Sequence, residues 1–161
     1  MGVIRPFRPE DAPALSELTV AAIATLGLRA YSAKQVMAWA AGHLGPPLFL
    51  ERAEPDDVIL VALSSEGAPA AYTMLRAGGL VHMLYCHPDH AGQGHATALL
   101  AAIESEAVAA GARRLHTKAS AISLPVFERA GYAVLCRRDF RLNLGDEAIP
   151  MHNYAMEKRL P

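Results

Sequence analysis

Glycines at positions 92 and 94 stand between an apolar run and a long helical pattern, in the segment Leu84-Tyr85-Cys86-His87-Pro88-Asp89-His90-Ala91-Gly92-Gln93-Gly94-His95-Ala96-Thr97-Ala98-Leu99-Leu100. Small residues let a backbone curl tightly and bring its N–H groups close to a ligand. The first turn of a following helix carries N–H groups without intrahelical partners and the positive end of the helix dipole. Together these features would cradle a pyrophosphate. An ordinary tight strand-to-helix turn is the plainer account of the same glycines.

Two other phosphate loops can be tested against this segment. A nucleotide P-loop needs Gly-Lys-Ser/Thr at the helix start, and Gly94-His95-Ala96 supplies no lysine. The dinucleotide fingerprint ends in Gly or Ala where this chain has Thr97, and it needs an acidic residue ~20 positions later for the ribose. Ala112, Arg113 and Arg114 stand there instead. Neither loop fits.

Other reactive side chains are sparser. His82 lies four residues before Cys86 on the same predicted strand, where a neutral imidazole could take a proton from an ammonium substrate, directly or through water. A solvated strand histidine is the alternative. His82, His87, His90 and His95 have no carboxylate or thiol at a ligand spacing, so no metal is expected. Cys86 sits in a core-like strand and is a weak candidate nucleophile. Tyr31, Met37 and Trp39 fall on or beside a predicted helix, where core packing is the plain reading. Tyr72, Tyr85 and Tyr154 are further cleft candidates that the sequence does not rank.

The elements that must position these residues alternate between helix and strand periodicity. Val3–Phe7 reads as a strand confined to a sheet edge by its prolines. Glu10 and Asp11 open a helix with Leu15, Leu18, Ala22 and Leu26 on one face. Ser32-Ala33-Lys34-Gln35 is a capping box that starts a second helix running to about Gly42. Gly45-Pro46-Pro47 breaks that pattern. Asp57–Ser64 and Ala68–Ala77 form a hairpin, and Leu80–His87 is a third strand ended by Pro88. Gly94–Ala110 is a long helix with Leu99, Leu100, Ile103 and Ala107 toward the core. Arg113–Ala119 is a buried strand, a short helix lies near Val126–Ala130, and strands at Ala133–Leu144 and Met151–Leu160 meet near Gly145-Asp146. The order β-α-α-β-β-β-α-β-α-β-β predicts one mixed α/β domain over residues 1–161 with four helices.

Composition sets limits on partners. The 161 residues are 52% hydrophobic, with 15 basic and 16 acidic side chains and no basic block, which argues against nucleic acid or an anionic membrane as partner. No segment is read as approaching the ~20 apolar residues of a membrane helix. Two cysteines without paired spacing, Cys86 and Cys136, fit a reducing compartment, so a cytoplasmic location is expected.

Two stretches together resemble the GNAT superfamily of acyl-CoA-dependent N-acetyltransferases. The family's Arg/Gln-x-x-Gly-x-Gly/Ala after a strand and a proline is similar to Ala91-Gly92-Gln93-Gly94-His95-Ala96, continued by Leu99-Leu100. Its Asn-x-x-Ala-x-x-Leu-Tyr-Glu-x-x-Gly-Phe is similar to Ser120-Ala121-Ile122-Ser123-Leu124-Pro125-Val126-Phe127-Glu128-Arg129-Ala130-Gly131-Tyr132. The resemblance extends over nearly the whole chain, including the closing Met156-Glu157-Lys158 strand.

The resemblance implies a central sheet of six to seven strands splayed into a V. It implies acetyl-CoA as co-substrate, with no metal, and transfer of acetyl to a primary amine of a small molecule or peptide. Acetyl-CoA would contact Leu84, Cys86, Ala91, Gly92, Gln93, Gly94, His95, Ala96, Thr97, Ser120, Ser123 and Phe127. The pantetheine arm would pair with backbone near Leu84 and Cys86, like an added strand. A free N–H at Leu84 or Tyr85 would polarise the thioester carbonyl, with His82 as base. Tyr31, Trp39 and Tyr72 would line the acceptor pocket under the first two helices. Homodimers are common in the family. Three positions depart from its pattern: Ala91 replaces Arg or Gln, Ser120 replaces Asn, and Phe127 replaces the tyrosine that is the family's candidate general acid. An acyl-CoA-binding sensor and a transferase for another acyl group stay open.

Overall fold

The computed structural model describes residues 2–51 and 53–161. One seven-stranded sheet in the order β1-β2-β3-β4-β5-β7-β6 organises the chain. Its strands are β1 (Ile4–Pro6), β2 (Val58–Leu63), β3 (Pro69–Arg76), β4 (Leu80–Cys86), β5 (Arg114–Ala119), β6 (Ala133–Leu144) and β7 (Glu147–Arg159). The helices are α1 (Ala12–Leu26), α2 (Ala33–Ala41), α3 (Pro47–Leu50), α4 (His95–Ala109) and α5 (Leu124–Arg129). The expected mixed α/β class and element order hold, with one helix more than expected. The Gly45-Pro46-Pro47 stretch does not only break the chain: proline in a first turn costs no hydrogen bond, and it leads into α3. β7 also starts earlier than predicted, at Glu147, so the last two strands form one long hairpin.

Local signals act as expected at two helix starts. Ser32 and Gln35 satisfy each other at α2, with Ser32 N–H donating to Gln35 Oε1 at 2.8 Å and Gln35 N–H to Ser32 Oγ at 3.2 Å. Before α1, the Arg5 guanidinium forks onto both oxygens of Asp11 at 2.8 and 2.9 Å, and Arg8 N–H adds a third bond. The Arg5 fork, helped by the Arg8 N–H, holds the Asp11 carboxyl below the usual carboxylate range against the opposing effect of its burial, and ties the edge strand to α1. With its flanking turns, Pro9–Arg29 is long and apolar enough to cross a membrane by length and composition, yet half of it is buried as the core helix of this sheet. Leu15 and Leu18 are almost fully buried there, each contributing ~1.5–3 kcal/mol.

The feature that makes a site is the junction of β4 and β5. Every other neighbouring pair in the sheet is antiparallel; β4 and β5 are parallel and pair only at Leu80 with His116 and Val81 with Thr117. Thr117 Oγ1 donates to the Val81 carbonyl at 2.8 Å at this vertex. Beyond it the strands part into a V, and α4, the crossover between them, closes one side with Leu99, Leu100, Ile103 and Ala107 buried against the sheet.

Candidate active site

A β-bulge sits at the vertex. Met83 pairs with Met74 and Val81 with Leu75, so His82 is the extra residue on β4 and has no partner on β3. A bulge re-aims side chains and shifts the backbone alternation by one. The consequence can be read from His87, whose N–H donates to the Ala70 carbonyl at 2.8 Å. In an antiparallel ladder hydrogen-bonded pairs recur every second residue, so Tyr85 and Met83 also turn their backbone groups toward β3. Leu84 and Cys86 turn theirs into the open V. Of the two expected thioester-polarising N–H groups, only Leu84 is therefore available; the Tyr85 N–H is committed to the ladder opposite Tyr72.

The glycine loop stands at the mouth of the same V. Gly92 and Gly94 have φ of +76° and +86°, a left-handed backbone that glycine adopts without strain. A Cβ built at either position would meet nothing within 4 Å, so the space in front of the loop is open. Gly94 caps α4 without any side-chain bond. Among the described residues no acceptor meets the N–H groups of Gly92, Gln93, Gly94, His95, Ala96 and Thr97. Six unpartnered donors at a helix start form a cradle for an anion. The Ala91 N–H is not among them, because it donates to the Pro88 carbonyl at 3.2 Å.

A cleft of about 470 Å³ runs from this cradle into the V. Leu84, Cys86, Ala91, Gly92, Gly94, His95, Ala96, Thr97, Ser120 and Ser123 line it together. Ser123 N–H donates to Ser120 Oγ at 3.1 Å, which holds the turn before α5. Two of the expected residues do not line this cleft with their side chains. The Gln93 side chain lies outside the cleft, reaching toward the Asp89 carbonyl at 3.4 Å, so this residue offers the cradle its backbone N–H alone. Phe127 is 2% exposed and packs edge-on against Tyr132, 5.0 Å between ring centres; it lies outside this cleft and in the floor of the next one.

Two further hollows, of about 280 and 320 Å³, meet the first at Tyr85 and Trp39, which line all three. His82 and Met83 line both of these, so the bulged histidine stands between them. His82 is exposed at the rim, yet the walls around its ring strip away part of its hydration and, with the nearby Arg76, hold the imidazole below the ordinary histidine range, with Asp57 pulling the other way. It is therefore neutral and able to accept a proton at neutral pH. Cys86 is half-buried and burial pushes its thiol up, which suits packing rather than attack.

The tyrosines separate sharply. Tyr72, expected in the acceptor pocket, is fully buried between β3 and α1, with its hydroxyl 2.6 Å from Thr19 Oγ1; it lines none of the three hollows. Tyr31 does line the 280 Å³ hollow, but its hydroxyl is doubly engaged, donating to the His152 carbonyl at 2.9 Å and accepting from Ala121 N–H at 2.8 Å. It braces α2 to β7. Burial pushes the Tyr85 hydroxyl up to about 12, against the pull of the Trp39 indole. Tyr154 lines none of the three hollows. Met37 is 57% exposed, outside the core position its helix suggested.

Sequence reasoning missed the far wall. Phe140 and Leu142 of β6, with Met151, His152 and Asn153 of β7, close the 280 Å³ hollow. The alternation of the two strands marks one face, but nothing local says which site that face meets. Among the described residues no group of three His, Cys, Asp or Glu could hold a metal; the rings of His87, His90 and His95 only form a chain about 6 Å apart, at 5.9 and 6.1 Å.

The family model described as an acetyltransferase (GNAT) domain matches residues 28–157. The chain belongs to the GNAT acetyltransferase family. It is by that membership an acyl-CoA-dependent N-acetyltransferase. A GCN5-related N-acetyltransferase from Rhodopseudomonas palustris is 32% identical, with a TM-score of 0.87 over 99% of this chain and 96% of that one. The PaiA N-acetyltransferase of Thermoplasma acidophilum, solved in complex with coenzyme A, shares 16% identity and a TM-score of 0.76 over 99% of both chains. A phosphinothricin acetyltransferase of Sinorhizobium meliloti in complex with acetyl-CoA shares 17% at TM-score 0.75, over 99% of this chain and 88% of that one. These last two likenesses are of fold. No curated protein sequence matches the chain.

Proposed function

We propose that this GNAT enzyme moves an acetyl group from acetyl-CoA to a primary amine by direct attack, without an acyl-enzyme. The observation that supports this most is the parted edge of β4. Leu84 and Cys86 offer unpaired backbone groups in the V, in line with the six free N–H groups at the start of α4. A pantetheine arm laid along β4 as an added strand brings its diphosphate to Gly92–Thr97 and its thioester carbonyl to the Leu84 N–H. Backbone donors then replace the side-chain contact that Ala91 does not supply.

The acceptor enters from the opposite side, through the hollows that His82 separates. His82 takes a proton from the ammonium, directly or through a water, and frees the lone pair on nitrogen. That pair forms the C–N bond with the carbonyl carbon, and negative charge on the oxygen faces the Leu84 N–H. As the carbonyl re-forms, the C–S bond breaks and its electron pair leaves on sulfur, while the nitrogen, now positively charged with two protons, gives one of them up to water to become the amide. A thiol of pKa ~8.5 makes a tolerable thiolate leaving group near neutrality. Tyr85, pushed up to about 12, holds its proton too tightly to give it to such a thiolate. It donates a hydrogen bond, and the sulfur is protonated from water.

The test is CoA release, followed with a thiol reagent, for acetyl-CoA alone and with a broad panel of amines. The reading expects amine-dependent release with no burst in the absence of amine. Tight acetyl-CoA binding with no release for any amine would make the protein a sensor, and a burst would require an acyl-enzyme.

A further inference from the structure

The acceptor side has a charge pattern that narrows the amine. Among the described residues, no aspartate or glutamate lines either of the 280 and 320 Å³ hollows. Their walls are apolar and aromatic: Trp39, Met83, Tyr85 and Leu142 in both, with Phe140 and Met151 added on the β5 side. The polar members His82, His43, His152 and Asn153 carry no fixed charge. The one permanently charged side chain is Lys118. A second ammonium on the acceptor would enter such walls without a counter-ion, and an unpaired charge moved out of water is strongly disfavoured.

Lys118 is also well placed. Its neighbour Thr117 pairs with Val81 at the vertex, so Lys118 on β5 and His82 on β4 are the first residues past the point where the strands part. They face one opening from its two sides. Lys118 and Arg76 both act on His82 as positive charges, opposed by Asp57, and Asp57 itself is bound to Arg76 at 3.4 Å and buried away from the hollows. An acceptor nitrogen beside His82 therefore has a cation within the same opening, and apolar walls beyond.

Resting on the acetyl-transfer reading above, we propose that the acceptor is a primary monoamine with an apolar or aromatic body and a carboxylate on the amine-bearing carbon. An aromatic or branched-chain α-amino acid has this chemistry. Its amine faces His82 and the thioester, its carboxylate pairs with Lys118, and its side chain lies among Trp39, Phe140, Leu142 and Met151. A polyamine is excluded by the missing counter-charge, and a peptide amino terminus lacks the carboxylate.

The experiment compares kcat/KM for L-phenylalanine, L-leucine, phenylalaninamide, phenethylamine and spermidine, with acetyl-CoA binding followed separately by calorimetry. Phenylalanine or leucine should be the best substrate, at least ~10-fold above phenylalaninamide and phenethylamine, with spermidine at background; tenfold corresponds to one modest ionic contact. Lys118→Met should raise KM for phenylalanine ~10-fold more than KM for phenylalaninamide, while Lys118→Arg retains the preference. Lys118 is exposed, so these variants should fold. Spermidine or phenylalaninamide as best substrate, or equal loss for both phenylalanine and its amide in Lys118→Met, overturns the assignment. Acetyl-CoA binding with no turnover of any panel member overturns it as well. Failure of acetyl-CoA to bind at all would strike the underlying transferase reading instead.

Discussion

The two halves of the cleft are built in different ways. The proposed CoA side is made largely of backbone: a loop of consecutive residues, Gly92–Thr97, and the N–H groups of alternate residues on one strand edge. The acceptor side is made of side chains gathered from α1, α2, β4, β5, β6 and β7, with Tyr31 and His152 joined across 121 positions of sequence. A backbone site tolerates most side-chain changes while its glycines and helix start survive. A side-chain site can be retuned one residue at a time, so a shared fold can serve many amines while holding one acyl donor.

The largest effect that sharpens this contrast is expected at His82. His82→Ala should lower kcat ~100-fold at neutral pH, the scale of a lost general base, with acetyl-CoA affinity unchanged. In the unaltered enzyme kcat/KM should fall on the acid side as His82 takes up a proton. Because partial loss of hydration and Arg76 hold its pKa down, that limb should lie below the ~6.5 of a free histidine. The limb should vanish in His82→Ala. A normal rate, or weakened acetyl-CoA binding, would erase the division between the two halves.

This contrast also explains what could be seen in the sequence. The cradle was legible because its parts are consecutive: glycines, a strand before them and a helix after them. The capping box at Ser32 and Gln35 was legible for the same reason. The bulge at His82 was not, since it exists only in the register of β4 against β3, and with it went the choice between Leu84 and Tyr85 as donor. Tyr72 and Tyr85 are directly paired on neighbouring strands and share one face of the sheet, their rings 5.8 Å apart, yet Tyr72 is fully buried under Thr19 and Phe49 while Tyr85 lies at the meeting point of all three hollows. How far α1 and α3 reach across that shared face decides which of the two is covered, and periodicity carries no such information.

A smaller effect is expected at the proton donor. Tyr85→Phe and Phe127→Tyr should each change kcat by less than ~10-fold, because a thiolate can depart without an acid near neutral pH. Phe127 is packed against Tyr132 in the core, so thermal melting should accompany that variant to separate misfolding from chemistry. Loss of nearly all turnover in Tyr85→Phe, at unchanged acetyl-CoA affinity, would make Tyr85 the acid and put a second side-chain role on the acceptor side.

The backbone origin of the CoA site is tested most directly by following amide N–H resonances while CoA is titrated into the protein. The account predicts that the largest shifts fall on Gly92, Gln93, Gly94, His95, Ala96 and Thr97, with Leu84 and Cys86 next, and that Tyr85 and Met83, bound into the ladder with β3, move less. Saturable binding with the largest shifts elsewhere, or with Tyr85 moving and Leu84 silent, would contradict it.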